Sequence, residues 1–409
     1  MAIADNIIKL QLYKIGKIAE EKQNQLDKEQ YEKYFPIFEI AYKILKTQPV
    51  LLYGGMAINE MLPAKMKIYK ENVLPDIDVF SKNAKDVAKK IVAAFKKKGH
   101  LIASFGDALH DGTYKVYVHG LQVIDITNIS SAAFKALSYE STRSNIGIKI
   151  VNPQFIRMSL HMMLSQPNDA HRWDKTFQRL VLFYKLYPPK KCQSKVITAS
   201  SDTQNTNANA NTNANINTEL EDVTQEIYSY IKNTEFLVFG MNEIKEFFKG
   251  HDKEIPKLQA PLIQVLVKED VVEVATDILE KIGNPKLKIS QIFEPDDFIS
   301  RHVFIYYGKT KIVGLYTANS CVSFINYLGY RFATIHTVLR MYMLMLFSKY
   351  AHFQKDHDNI ECLVNLLSVI QYKKIGSKNK LFKEFTMDCY GMHKGLITLK
   401  RERLQRFAK

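Results

Sequence analysis

The apolar residues of this chain fall into two patterns that alternate along it. Short unbroken runs read as buried strands, and longer runs with a helical period join them. In residues 1–47, Ile7, Leu10, Leu12, Ile15 and Ile18 form one apolar stripe, and Tyr31, Tyr34, Ile37, Ile40, Ala41 and Ile44 form another. This part is expected to be a helical arm leading into the core. Val50–Tyr53 is the first strand, Gly54-Gly55 a turn, and Met56–Leu62 a helix. Asp76–Phe80 is the second strand. The helix after it, capped by Ser81 or Asn83, runs to about Lys98 and buries Val87, Ile91 and Phe95. Asp86 near its start, Lys96–Lys98 at its end and Gly99 beyond suit the helix dipole and a C-cap. Strands are expected at Leu101–Phe105, Thr113–Val118 and Leu121–Thr127, the last two joined at His119-Gly120. Residues 153–187 return to helix.

Residues 193–222 are an Asn/Thr/Ala tract with nothing to bury, expected to be a disordered linker or surface loop. Beyond it the order of elements repeats. Phe236-Leu237-Val238-Phe239-Gly240-Met241 echoes Val50–Met56. Pro261-Leu262-Ile263-Gln264-Val265-Leu266, with a helix ending at Gly283, echoes Pro75–Phe80 with its helix ending at Gly99. A hairpin at Val303–Tyr307 and Ile312–Tyr316 comes third, then an apolar helix from Phe332. A repeat of this period implies two copies of one α/β fold. Four segments follow: a helical arm 1–47, a first domain with its trailing helices 48–192, the Asn-rich linker 193–222, and a second copy 223–409 with a basic helical C-terminus. The class is α+β.

Nearly half of the 409 residues are apolar, so the chain has enough to bury for two or three cores. No apolar run approaches the ~20 residues that span a bilayer, and the N-terminus lacks a secretory pattern, so the expectation is an intracellular protein with no membrane partner. The four cysteines are scattered without metal-type spacing and read as free thiols. The net charge of +15 fits a polyanionic partner such as RNA, or a lysine-rich composition with no such meaning. Tyr372–Lys409, with eleven Lys/Arg against three Asp/Glu, is open to the same two readings.

The chemistry concentrates in Asp76-Ile77-Asp78. Alternation along a strand puts both carboxylates on one side and Ile77 and Val79 on the other. Two adjacent anions repel one another unless a cation lies between them. Asp125, in Val123-Ile124-Asp125-Ile126, repeats the apolar-Asp-apolar pattern and is costly to bury alone. Three such carboxylates suit two magnesium ions roughly 4 Å apart, the arrangement used for nucleotidyl transfer. Gly54-Gly55, opening a helix, can bring bare backbone close to phosphates. In the second copy Leu262 and Gln264 stand at the places of Asp76 and Asp78, and Val313-Gly314-Leu315 near that of Asp125, so that copy cannot hold magnesium and is expected to be catalytically dead. Arg172, Lys175 and Arg179, at i, i+3 and i+7, share a helix face that either grips a triphosphate or is merely solvated; Trp173, Phe177 and Leu180 are expected to pack on its other side.

These residues resemble the nucleotidyltransferase superfamily of DNA polymerase β. More narrowly, Leu51–Asn59, Leu74–Asp78, His110–Val116 and Asp125-Ile126-Thr127, with Arg172-Trp173-Asp174-Lys175 and Arg179-Leu180, resemble the poly(A) polymerase catalytic subunits of large nucleocytoplasmic (giant) DNA viruses. The resemblance implies two tandem nucleotidyltransferase-like domains, the second degenerate. It implies template-independent addition of AMP from ATP to mRNA 3′ ends, with Asp76, Asp78 and Asp125 as ligands of Mg2+ (or Mn2+). Gly54 and Gly55 would form the phosphate turn. Where the superfamily often has Ser as the second turn residue this chain has Gly55, so backbone amides must supply the grip. Some members act as homodimers and others with a separate processivity partner; a homodimer in the host cytoplasm or the virion is expected here. Transfer to another acceptor (a tRNA end, a small molecule or ATP itself) and a non-catalytic RNA-binding subunit are the alternatives.

Overall fold

The computed structural model describes residues 2–69, 73–190, 192, 210–249, 261, 263–392 and 395–407. The chain forms two compact units, Met1–Asn152 with Ile397–Lys409, and Pro153–Leu396. This departs from the expected segments at both ends of the second copy: the helices of 153–187 belong to the second unit, and the last helix belongs to the first.

In the first unit, α1 (Ala2–Leu45) is one long helix. Its C-terminal half buries Ile37, Phe38, Ala41 and Leu45, while Ile8, Leu10, Leu12, Ile15 and Ile18 are exposed. Among the described side chains, only the second of the two expected stripes therefore reaches the core; the side chain of Ile7, in the first stripe, lies outside them. A seven-stranded sheet follows. Its members are β1 (Val50–Tyr53), β2 (Ile77–Ser81), β3 (Ala103–Asp107), β4 (Thr113–Val118), β5 (Leu121–Asn128), β6 (Thr142–Arg143) and β7 (Lys149–Ile150), in the order β3-β4-β5-β2-β1-β7-β6. β3 starts two residues later than expected, with Leu101 and Ile102 left at the surface. The helices are α2 (Gly54–Met61), α3 (Ala84–Lys97) and α4 (Ser131–Ser138). α3 carries Asp86 in its first turn and Lys96 and Lys97 in its last, and it buries Val87, Ala88, Ile91 and Phe95. α1 and α3 pack on the sheet side that carries Ile77, Val79, Ile124 and Ile126, each 1 % exposed or less. That leaves the side of Asp78 and Asp125 outside this core.

In the second unit, α5 (Pro153–Leu164) and α6 (Trp173–Leu186) come first, then α7 (Ala210–Lys232). α7 begins inside the Asn-rich tract, so residues 210–222 are helical and not a loop; the rest of the tract, 193–209, lies outside the described residues. Val223, Ile227 and Ile231 give α7 a buried side, which the tract's composition does not reveal. Next come β8 (Leu237–Val238), α8 (Met241–Phe247), β9 (Ile263–Val267), α9 (Val271–Ile282), β10 (Leu287–Ile289), β11 (His302–Tyr307), β12 (Thr310–Thr317), β13 (Val322–Tyr327) and β14 (Tyr330–Ala333). α10 (Ile335–Phe347), α11 (Ala351–Gln354), α12 (His357–Lys374), β15 (Cys389–Tyr390) and α13 (Leu396–Phe407) end the chain, α13 belonging from Ile397 to the first unit. The stretch from Tyr330 is a strand, so the apolar helix starts at Ile335 and not Phe332. α7 and α9 cover one side of the sheet, with Val271, Val274 and Ile278 against Ile263, Val265, Val303 and Val313. All residues of α10 are buried.

The sheet order β10-β11-β12-β9-β8-β14-β13-β15 reproduces the first sheet strand for strand, with β15 added at one edge. The directions match too: β1/β2 and β8/β9 are antiparallel, β2/β5 and β9/β12 parallel, β1/β7 and β8/β14 parallel. The hairpins share an irregularity at one place, between Val116 and Tyr117 in one copy and between Ile305 and Tyr306 in the other. Bulges re-aim the side chains of a strand, and one at the same place in both sheets agrees with a duplicated fold. The cysteines are not free: Cys192 is paired with Cys362 and Cys321 with Cys389, with Cα–Cα distances of 5.1 and 5.4 Å. Partners 170 and 68 residues apart leave no spacing signal in the sequence.

Candidate active site

Register assembles the site. Tyr53 lies opposite Asp78 across the β1/β2 pair, Asp78 opposite Asp125 across β2/β5, and Asp125 opposite Lys115 across β5/β4. Residues opposite one another on paired strands project to the same face. One row therefore runs Tyr53, Asp78, Asp125, Lys115 over strands about 4.8 Å apart. The next row is Phe80, Thr127, Thr113. Asp125 is on the same face as Asp78, as the repeated apolar-Asp-apolar pattern predicts. Asp76 precedes β2 and is exposed. Among the described residues, no three His, Cys, Asp or Glu side chains are gathered closely enough to hold a metal ion. The structure thus brings Asp78 and Asp125 together in one row and leaves Asp76 at the mouth of the strand.

Both oxygens of Asp125 are engaged. Oδ2 accepts from Lys115 Nζ at 2.9 Å and Oδ1 from Gln122 Nε2 at 2.9 Å, with Lys115 27 % and Asp125 19 % exposed. Asp78 lies against the first residue of α2. Gly54 has φ +70°, and a Cβ there would come within 2.5 Å of Asp78 Oδ2. Only glycine fits on both counts, conformation and space. α2 already begins at Gly54, so the two glycines are its first turn and not a turn before it. The Tyr53 ring stacks on Phe80, with centroids 3.8 Å apart, and its hydroxyl is 3.0 Å from Thr127 Oγ1, which is itself 3.1 Å from Thr113 Oγ1. Burial pushes the Tyr53 phenol pKa up, and the nearby charges of Asp78 and Asp125 push it further, against the Thr127 hydrogen bond. It stays protonated at neutral pH.

Tyr53, Lys115, Gln122 and the threonine pair were not candidates from the sequence. Counting back from the His119-Gly120 turn pairs Lys115 with Ile124 and not with Asp125. The bulge after Val116 moves it one residue, onto Asp125. Arg172, Lys175 and Arg179 belong to the second unit and are not part of this row. Arg172 ends a short 3-10 turn before α6, Lys175 is exposed and Arg179 half-buried. Trp173 and Phe177 pack on Phe385, and Leu180 is buried, as expected.

The equivalent place in the second unit holds no charge. Its first row is Phe239, Gln264, Gly314, Phe304, and its second Leu266, Tyr316, His302. Gln264 donates from Nε2 to Tyr342 Oη at 2.7 Å and accepts from Tyr316 Oη at 3.3 Å, and all three are fully buried. A Cβ on Gly314 would meet the Tyr316 ring at 3.1 Å and Pro261 at 3.2 Å. Gln264 and Gly314 therefore stand where Asp78 and Asp125 stand in the first copy. Leu262 lies outside the described residues.

The residues present suit a divalent cation in the first copy. Carboxylate oxygens are the ligands magnesium prefers, and the Lys115 ammonium stands as a cation on Asp125.

Residues 39–170 match the family described as "Poly(A) polymerase catalytic subunit". Over 463 aligned residues the chain is 24 % identical to the protein named as a poly(A) polymerase catalytic subunit in Acanthamoeba polyphaga mimivirus, covering 97 % of this chain and 74 % of that one. It is 29 % identical over 158 residues to the protein of the same name in an African swine fever virus isolate (Pig/Kenya), covering 37 % of this chain and 33 % of that one. Its fold matches the crystal structure of the Megavirus polyadenylate synthase, with a TM-score of 0.77 at 20 % identity over 97 % of this chain and 82 % of the other.

Proposed function

From the match of residues 39–170 to the poly(A) polymerase catalytic-subunit family, we infer that this chain is a template-independent polynucleotide adenylyltransferase. It adds AMP from ATP to RNA 3′ ends. The observation that carries the site is the in-register pair Asp78 and Asp125 on one half-buried sheet face, beside a glycine that only a bare backbone can occupy.

In the reaction, the RNA 3′ oxygen forms a bond to the α-phosphorus of ATP. The bond from that phosphorus to the bridging oxygen of the β-phosphate breaks, pyrophosphate leaves, and the hydroxyl proton passes to solvent. Asp76, Asp78 and Asp125 would hold Mg2+ (or Mn2+), which when bound polarises the α-phosphate, acidifies the 3′-hydroxyl and neutralises the leaving pyrophosphate. The chain's own part is placement. Gly54 and Gly55 let the start of α2 approach phosphate oxygens without side chains in the way. The stack of Tyr53 on Phe80, tied to Thr127, stiffens the floor beside the carboxylates. The neutral phenol adds no anion next to a triphosphate. The protein is taken to act as a homodimer, in the host cytoplasm or the virion, and light scattering of the purified chain tests the first of these.

The deciding experiment offers a short RNA each nucleoside triphosphate in turn with Mg2+. Tails are expected with ATP, and none after Asp78→Asn or Asp125→Asn in protein of native circular dichroism. Product formed equally well without RNA would point to another acceptor. Salt-sensitive RNA binding without turnover would make the chain a non-catalytic subunit.

A further inference from the structure

We propose that Lys115, with Gln122, is a positioning clamp that holds Asp125 in the metal-free protein and gives way when a divalent cation binds. This rests on the reading of Asp125 as a metal ligand. Three observations carry it. First, both carboxylate oxygens of Asp125 already accept a hydrogen bond, one from an ammonium and one from an amide at 2.9 Å each, so an incoming cation meets a fixed positive charge and a second donor at the oxygens it would bind. Second, Lys115 reaches Asp125 only because the strand carries an irregularity after Val116. A regular hairpin would set it opposite Ile124, so the backbone is shaped to bring this cation to this anion. Third, the second copy keeps the irregularity but has Phe304 opposite Gly314. Where the anion is absent, the cation is absent with it.

The ammonium does two things in such a clamp. It offsets the charge of a half-buried carboxylate while no metal is bound, which limits repulsion from Asp78 on the next strand. It also competes with the metal for Oδ2. Lys115 thereby sets how tightly the third carboxylate binds a divalent cation, and it keeps Asp125 in one rotamer until that happens. Lysine suits the role because its ammonium is a compact charge on a flexible stem that can swing away.

Mn2+ binding to the full chain without nucleotide, followed by the loss of the free-ion electron paramagnetic resonance signal, tests the clamp. Lys115→Met should bind Mn2+ roughly fivefold tighter than wild type, the size of a partly exposed charged contact removed from competition. Lys115→Arg, which restores a cation, should return to within about twofold of wild type. Asp125→Asn should bind about tenfold weaker or worse. A Lys115→Met protein that binds no tighter than wild type overturns the clamp. If Asp125→Asn is weakened in the same series, the ligand reading survives that failure. If Asp125→Asn binds as wild type does, the ligand reading fails and takes the clamp with it. Gln122→Met alters an exposed side chain and should tighten binding about twofold; should Lys115→Met not fold, an unchanged Gln122→Met overturns the proposal.

Discussion

The two sheets of this molecule share strand order, strand direction and the place of a bulge, yet opposite chemistry occupies the same four positions. In the first, Tyr53, Asp78, Asp125 and Lys115 make a charged row left outside the helix-packed core. In the second, Phe239, Gln264, Gly314 and Phe304 make a row closed over by Tyr316 and Tyr342. The backbone alone does not make a site. A sheet face keeps carboxylates in play only if nothing large stands over them, and once the anions are replaced the vacated face is filled by aromatic side chains. The filling is itself stabilising, because it buries Tyr316 and Tyr342 with their hydroxyls bonded to Gln264.

The largest effect that separates the copies is on activity. Asp78→Asn or Asp125→Asn should lower tailing by about a thousandfold or more, since several kcal/mol of charge stabilisation go with the metal site. Gln264→Leu should leave tailing within about twofold of wild type. It should instead lower stability by ~1–3 kcal/mol by removing the buried hydrogen bonds of Gln264 with the hydroxyls of Tyr342 and Tyr316, read by urea unfolding. A tailing defect in Gln264→Leu at a temperature where the protein is folded would mean that the second row takes part in the chemistry after all.

Much of this contrast was legible in the chain. Ile77-Asp78-Val79 and Ile124-Asp125-Ile126 announce buried strands with one polar face, and the echo around Gln264 and Gly314 announces the neutral copy. What stayed hidden depends on events far apart in sequence or on a single inserted residue. One bulge decides whether Lys115 meets Ile124 or Asp125, and alternation counted from the turn gives the wrong answer. α5 and α6 group with the second unit because α5 packs on α10, nearly two hundred residues later, and no local pattern reports that. The cysteines look isolated until the fold brings them together. Residues 210–222 are poor in apolar positions and read as linker, yet they form the start of a helix whose later turns bury Val223 and Ile227.

Acid should act on the second unit through its histidines. Burial lowers the pKa of His302 to about 4 and that of His336 to about 3. Both are neutral in the folded protein, whereas the unfolded chain takes up protons below about 6.5. Their contribution to stability is therefore complete above pH ~6.5 and is lost as pH falls toward 4 for His302 and 3 for His336, on the order of 3 kcal/mol for His302 alone. The chain's single tryptophan, Trp173, lies in this unit and reports on it. Its fluorescence unfolding midpoint in urea should drop steadily between pH 6.5 and 4.5. A midpoint that holds over that range would show that these histidines are not kept neutral by burial.

The glycines give a smaller contrast. Gly54→Ala must push the Asp78 carboxylate aside and hold a side chain at φ +70°, so activity should fall by about a hundredfold through misplacement of one ligand, with ~1–2 kcal/mol of stability lost. Gly314→Ala presses on Tyr316 and Pro261 without backbone strain. It should cost ~1 kcal/mol of stability and no activity. Equal activity losses at the two glycines would erase the distinction between an open row and a filled one.

The smallest expected effect concerns the cations of α6. Trp173 anchors the helix start by donating its indole N–H to the Met163 carbonyl at 3.1 Å, and with Phe177 it packs on Phe385, which leaves Lys175 exposed beside Arg172. If these side chains grip the triphosphate, Lys175→Met should raise the KM for ATP about three- to fivefold with kcat unchanged. Such a change marks binding shared by ground state and transition state, and it corresponds to roughly 1 kcal/mol for one partly solvated charge. Arg172→Met should act in the same direction, and Arg179→Met, from a half-buried position, should cost stability as well. The packed face supplies the control: Trp173 fluorescence should be unchanged in Lys175→Met, so that a KM effect cannot be laid to a displaced helix. A triple variant with wild-type KM would make this face an ordinary solvated one, and the charge that meets the triphosphate would then have to come from elsewhere in the chain.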